Sequence, residues 1–321
     1  MGTQIPVRNC SFPARYSCST DRLHSRDFRL VDIGKIVEHE DSWDLREFET
    51  AVSRQIEKGR IILKTSWYSG IQDIFLVRNR KGLVPSPLHK AQFKRFFGCV
   101  AAIMEAQLLS LCENSLEEFM NFLISDQPAK CEFHVDVVVK SESLDFQPSF
   151  EEFKDALCGI LDRICEAVTE FDTLETQLYL DWSGSLDVLE PKVDRSMVES
   201  QKREIIDLID REKIVPERIQ AWLEEYEYLY NNDEYLTVKS FASDENRTLE
   251  EYGGMMERCR SLMAAIPLKV ERTAFTGLFE VSRKMFIETV VDNVDRIQNL
   301  LIDALVNKYQ LIAVRRVFYF S

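Results

Sequence analysis

"CEFHVDVVVKSESLDFQPSFEEFKDAL", residues 131–157, changes its hydrophobic period twice. Phe133, Val135, Val137 and Val139 alternate, and β-branched residues dominate, which is the signature of a half-buried strand. Lys140-Ser141-Glu142-Ser143 is a polar connection, after which Leu144 and Phe146 alternate again. Pro148 disfavours an earlier helical start, and Ser149-Phe150-Glu151-Glu152 is a capping box that opens a helix. That helix runs to about Phe171 on Phe150, Phe153, Leu157, Leu161, Ile164 and Val168. A small antiparallel β element at about 132–147 is therefore expected. Two strands alone are marginal in water, and the extended stretch at 275–281, with Phe275, Leu278 and Val281, is the candidate partner for 133–139.

The surroundings read as helix. From Asp41 to about Asn79, Leu45, Phe48, Val52, Ile56, Leu63, Trp67, Ile71 and Ile74 recur every three or four residues, with Gly59 filling a gap. Ser86-Pro87 opens a second helix, carrying Phe93, Phe96, Phe97, Val100, Ile103, Met104, Leu108 and Leu111. Ser115-Leu116-Glu117-Glu118 reads as another capping box, so a separate short helix is expected from there to Pro128. Gln177–Leu180 reads as a short extended piece. Helical patterns return at 197–211 and at 216–230, where Trp222, Tyr226 and Tyr230 form a stripe expected in the core. Glu224, Glu225, Glu227, Asp233 and Glu234 read as a solvated acidic face. Thr248-Leu249-Glu250-Glu251 is a third capping box, and the last helix spans about 283–308. The fold class expected is mainly α: an elongated bundle of long amphipathic helices with that small β element. Residues 1–30 are expected as a mobile basic arm, 31–309 as one helical module, and 310–321 as a divergent apolar and basic tail.

Composition narrows the function. The net charge of −14 disfavours a general nucleic-acid binder, since phosphate binding needs clustered Lys and Arg. The first 29 residues are the exception, with five Arg against Asp21 and Asp27. Such an arm suits an acidic surface such as a tubulin lattice, or is simply a solvated leader. No run of roughly 18 apolar residues, the length of a membrane span, is evident. The amino terminus has no apolar h-region, so a cytosolic chain is expected. None of the eight Cys falls in a CxxC pair, and Cys99, Cys158 and Cys165 sit among apolar helix positions as small hydrophobes.

No catalytic, cofactor-binding or metal-ligating residue emerges. A phosphate-binding loop needs GxxxxGK[ST], so that backbone amides can wrap the phosphates. Only Gly34 is followed by Lys, and Ile36 comes next. His39-Glu40 could begin HExxH, but Trp43 stands where the second His is required. His24, His89 and His134 are scattered, with His134 on the polar side of the strand. Large apolar faces on successive helices suit a scaffold better than an enzyme.

The order of the pieces carries a resemblance. "QFKRFFGCVAAIMEAQLLSL" (92–111), "SLEEFMNFL" (115–123), "FHVDVVV" (133–139), "LDFQPSFEEFKDAL" (144–157) and "GLFEVSRKMFIETVVDNVDRIQNLLIDAL" (277–305) resemble the tail of axonemal dynein heavy chains, just ahead of the linker. Phe146, Pro148, Ser149 and Phe150 carry most of the match, which covers roughly residues 31–308. The resemblance implies a family of ATP-driven, minus-end-directed microtubule motors of cilia and flagella. In that family the AAA+ ring, linker and microtubule-binding stalk lie downstream of this segment, so no ATP-site residue is carried over and no cofactor is expected. It implies a structural tail segment in the cytoskeleton of the ciliary axoneme. The expected partners are dynein intermediate and light chains, neighbouring heavy chains and axonemal microtubule docking sites. The ending after Tyr309 departs from the family, as a truncated product or splice form would. The alternatives are an unrelated helical adaptor or vesicle tether, and an enzyme whose site is dispersed along the chain.

Overall fold

The alternation at 133–139 becomes the strand to which the other strands of its sheet pair. A computed structural model of the chain describes residues 29–37, 42–73, 87–124, 132–140, 143–169, 171–172, 188–189, 191–265 and 277–309. In chain order the elements begin with α1 (Ile33–Val37), β1 (Ser42–Trp43), α2 (Leu45–Ile62) and α3 (Pro87–Ile124). The middle holds β2 (Glu132–Lys140), β3 (Ser143–Gln147), α4 (Phe150–Glu166), β4 (Phe171–Asp172) and β5 (Val188–Leu189). Then come α5 (Arg195–Glu212), α6 (Ile214–Glu224), α7 (Glu227–Tyr230), α8 (Asp233–Ala242), α9 (Leu249–Ala265), β6 (Phe279–Ser282) and α10 (Lys284–Tyr309). The fold is mainly α with a small β element, as the periodicities predict.

The described residues fall into two compact units. One draws its described residues from Met1–Glu38, Glu49–Ser125 and Cys158–Lys202; the other draws them from His39–Phe48, Asp126–Leu157 and Arg203–Ser321.

The second unit is built on the sheet. β2 and β3 pair antiparallel from Asp136↔Gln147 to Lys140↔Ser143. The expected third strand is present as β6, running parallel to β2 from Phe133↔Phe279 to Asp136↔Ser282. β1 adds a second parallel contact, Ser42↔Glu132 and Trp43↔Phe133. Phe133 thus has Trp43 and Phe279 as partners, and its amide donates to Leu278 O at 2.8 Å. The period-2 face does what the pattern requires: Phe133, Val135 and Val137 are fully buried. Aromatic rings close the core above them. Phe133 meets Phe48 and Phe153 edge-on at 5.1 and 5.6 Å, and Phe279 meets Phe150 and Phe153 at 5.2 and 5.0 Å. The Gln147–Pro148 peptide before α4 is cis. The Ser149 box then closes as predicted: Glu152 accepts the Ser149 amide at 2.7 Å, and the Glu152 amide donates to Ser149 Oγ at 3.3 Å. The Thr248 box closes with Glu251 in the same way. The far end of this unit is helical, with Val238, Tyr252, Met256 and Cys259 packed against Ile297, Leu301 and Leu305 of α10.

The first unit is organised on α3. Leu30 is buried and its amide donates to Ser115 Oγ at 3.0 Å, while Arg29 pairs with Glu118. Gly59 makes room for this approach, because a Cβ there would lie 2.9 Å from the Leu30 side chain. α2 passes into a π-helical turn, Leu63–Tyr68, that keeps Leu63 and Trp67 buried. Trp67 donates to Gln107 at 3.3 Å and meets Phe171 edge-on at 5.7 Å. β4 and β5 pair antiparallel.

Several expectations need correction. No helix starts at Ser115: α3 runs unbroken through it, and Ser115 is fully buried, donating to Leu111 O at 2.7 Å. The pattern S-x-x-E loses to an apolar stripe that continues from Leu111 to Leu116 and Phe119, all buried. The helix expected at 216–230 is two, α6 and α7, so the aromatic stripe is split. Tyr230 is buried, whereas Trp222 is 38% exposed and lies under Arg283. Asp233 and Glu234 begin a helix, α8, that the acidic run concealed. Cys99 is exposed rather than a core hydrophobe. Residues Arg95–Ile124 are long and apolar enough to cross a membrane by length and composition, where no such run was expected. Met104, Leu108, Leu116 and Phe119 of that stretch are nevertheless core residues. Residues 1–28, 177–180 and 310–321, and with them most of the expected arm, the extended piece and the tail, lie outside the described residues.

Candidate functional site

Since the sequence singles out no catalytic residue, the surfaces and polar clusters of each unit carry the functional question. In the second unit His134 and Asp136 project from one face of β2, with His134 Nε2 and Asp136 Oδ2 3.2 Å apart. Glu280, the cross-strand partner of His134, is buried beside them. Among the described residues no group of three or more His, Cys, Asp or Glu is arranged to hold a metal. His24 and His39 lie outside those residues, as does the side chain of His89. Other polar contacts here fasten elements together. Gln220 donates to Leu144 O at 2.9 Å, fastening α6 to β3. Glu212 approaches the backbone before β6 so closely that a Cβ on Gly277 would lie 2.6 Å from its Oε2. The expected acidic face is real at Glu224, Glu225 and Glu227, which are exposed, while Glu234 pairs with Arg258.

In the first unit the outward stripe of α3 changes character along its length. Phe96, Cys99, Ala102, Ile103 and Ala106 are exposed at helical spacing, with Phe96 at 50% and Ile103 at 60%. From Ser110 the same stripe turns polar, through Glu113, Asn114, Glu117 and Asn121. Three turns of apolar surface on one helix are more than scattered exposure, and such patches mark interaction sites. Only 28% of the most apolar stretch of α3 is buried.

A cleft of about 850 Å³ lies between the end of α4 and the start of α5, lined by Asp162, Cys165, Glu166, Pro191 and Val198. Lys202 stands beside it, paired with Asp162 at 2.8 Å and Glu199 at 3.3 Å, and these hydrogen bonds hold its ammonium above the ordinary lysine range. Cys165 Sγ accepts from Cys112 Sγ at 4.0 Å. That hydrogen bond pulls the Cys165 thiol down, against burial and the Asp162 carboxylate; the same bond, together with burial, pushes Cys112 far up. Near the other end of this surface Arg163 bridges α4 to α2, through Glu49 at 2.6 Å and Ser53 at 3.1 Å. The thiol pair has no local sequence signature, since its members are 53 residues apart.

No family model matches the chain. Individual proteins do. Dynein axonemal heavy chain 12 of Homo sapiens is 21% identical over 285 residues, covering 83% of this chain. The Rattus norvegicus protein of that name is 24% identical over 232 residues, and the Mus musculus one 20% identical over 231, each covering 70% of it. The chain spans only 7–8% of the length of these relatives. The resemblance carried by residues 92–157 and 277–305 is thus found independently: most of this chain is similar to a short piece of an axonemal dynein heavy chain.

Proposed function

We propose that the chain acts as a structural tail segment of an axonemal dynein heavy chain, contributing to the assembly and docking of the dynein arm in ciliary and flagellar movement. The observation that carries this reading is the similarity to axonemal dynein heavy chain 12, which spans 70–83% of the chain and under a tenth of the relatives. The apolar stripe Phe96–Ala106 supports it, because a segment that works by packing needs an apolar surface to offer. Its partners in this reading are dynein intermediate and light chains, or neighbouring heavy chains, at axonemal docking sites. The segment itself turns over no ATP, a reading supported by the lack of any GxxxxGK[ST] in its 321 residues.

The test is a mass-spectrometric inventory of proteins that co-purify from ciliated cells with the full chain, with a chain lacking residues 310–321, and with a Phe96→Glu/Ile103→Glu variant. Dynein intermediate, light and heavy chains are expected with the full chain, and their loss is expected with the double variant. Recovery of membranes or coat proteins alone would replace this reading with that of a helical adaptor or vesicle tether. Retention of the purified chain on ATP-agarose would refute the absence of a nucleotide site.

A further inference from the structure

Two thiols from distant parts of the sequence meet in the first unit. Cys112 lies in the middle of α3 with no exposed surface, and Cys165 lies in the last turn of α4. Their sulfurs are 4.0 Å apart, and a disulfide bond is ~2.05 Å long, so bonding needs an approach of only about 2 Å. Their surroundings differ. Cys165 is partly exposed and lines the cleft, with Lys202 near; Cys112 is fully buried and does not line it. The five described cysteines therefore sort into an exposed thiol, Cys99, a thiol buried in the helical core of the other unit, Cys259, a half-buried thiol that donates to Lys202 O at 3.9 Å, Cys158, and one facing pair.

We propose that Cys112 and Cys165 are a dithiol modification site, which a small disulfide reagent entering the cleft converts to a Cys112–Cys165 bond that fastens α3 to α4. Cys165 is the attacking thiol and Cys112 the resolving one. The Cys165 proton goes to solvent, and its sulfur attacks one sulfur of the reagent. The reagent's S–S bond breaks, and the first half leaves as a thiolate that takes up a proton. Cys112 then gives up its proton and attacks the Cys165 sulfur, and the second half of the reagent leaves and is protonated. Two protein thiols and one disulfide reagent become one protein disulfide and two small thiols. The order follows from access and from charge. The thiolate is the nucleophile, and at Cys165 the hydrogen bond from Cys112, helped by the Lys202 ammonium, favours it over the opposing effects of burial and of the Asp162 and Glu166 carboxylates.

The test treats the folded full chain with oxidised glutathione, alkylates the remaining thiols and maps the peptides by mass spectrometry. A Cys112–Cys165 cross-link reversed by dithiothreitol is expected, with Cys99 carrying glutathione or alkyl only. In Cys112→Ala the reaction is expected to stop at the glutathione adduct of Cys165. Should that variant not fold by circular dichroism, the wild-type map decides alone. A wild-type chain whose Cys165 stays as a glutathione adduct, or whose Cys112 remains fully alkylatable after oxidation, would overturn the proposal.

Discussion

Ser115 joins two segments through one oxygen. Its hydroxyl donates to Leu111 O within α3 and accepts the Leu30 amide, and both residues are buried. Ser115→Ala removes the acceptor and strands that amide in the core, which costs about 1–3 kcal/mol. Urea denaturation should show a loss of that size, against less than about 0.5 kcal/mol for Ser110→Ala on the exposed side of the same helix. Equal small losses would mean that the Leu30 amide finds another acceptor. The capping carboxylates make a second residue-scale prediction, in pH. Backbone amides of Ser149 and Thr248 hold Glu152 and Glu251 below their ordinary value of 4.5, with Arg247 adding to the effect on Glu251. A carboxyl depressed in the folded state stabilises above its unfolded value, and that stabilisation fades as the pH falls through the folded value. The two boxes therefore hold at neutral pH and weaken only below pH 4.5. Titration by NMR should place both midpoints below 4.5; midpoints at or above that value would mean that the boxes are open in solution.

At the scale of elements, β2 is the member whose loss is felt most widely, because β1, β3 and β6 all pair with it. Phe133→Ala empties the place where Phe48 of α2 and Phe153 of α4 meet the strand, and a loss of about 3–5 kcal/mol is expected. Leu236→Ala, at a side chain 56% exposed, should cost under about 1 kcal/mol. Urea midpoints of the two variants that coincide would show that the aromatic junction does not hold the sheet. What the sequence revealed at this scale depended on how local the deciding signal was. The hairpin at 132–147 and the boxes at Ser149 and Thr248 rest on short periods and single side-chain caps, and they were legible. The third strand was legible too, although the parallel sense of its pairing was not, since alternation carries no direction. β1, β4 and β5 have two residues each and cannot display a period. Ser115 misled because a cap pattern is weaker than a buried apolar stripe running through it. The exposed stripe of α3 was hidden for the opposite reason: Phe96, Phe97, Ile103 and Met104 are adjacent pairs, and composition alone does not say which member of each faces the core.

For the molecule as a whole, the order of the chain differs from the order of its packing. The second unit draws on three separate stretches, and β6 with the start of α10 rests on a strand more than a hundred residues upstream. A fragment of residues 203–321 keeps one part of that unit's core intact, because Val238, Tyr252, Cys259, Ile297 and Leu301 all lie within it. It loses the other part: Phe279 no longer has Phe150 and Phe153 against it, and Val281 no longer has Val135 as its cross-strand neighbour. The fragment should therefore remain helical by circular dichroism while unfolding broadly in urea, with a smaller dependence on denaturant, because less surface is buried to begin with. Adding a peptide of residues 126–157 restores the missing strand and helix start, and should sharpen the transition and raise its midpoint by mass action. A fragment that unfolds as sharply without the peptide as with it would mean that α8, α9 and α10 hold β6 in place unaided, and that the strand at 133–139 closes the unit without being needed to build it.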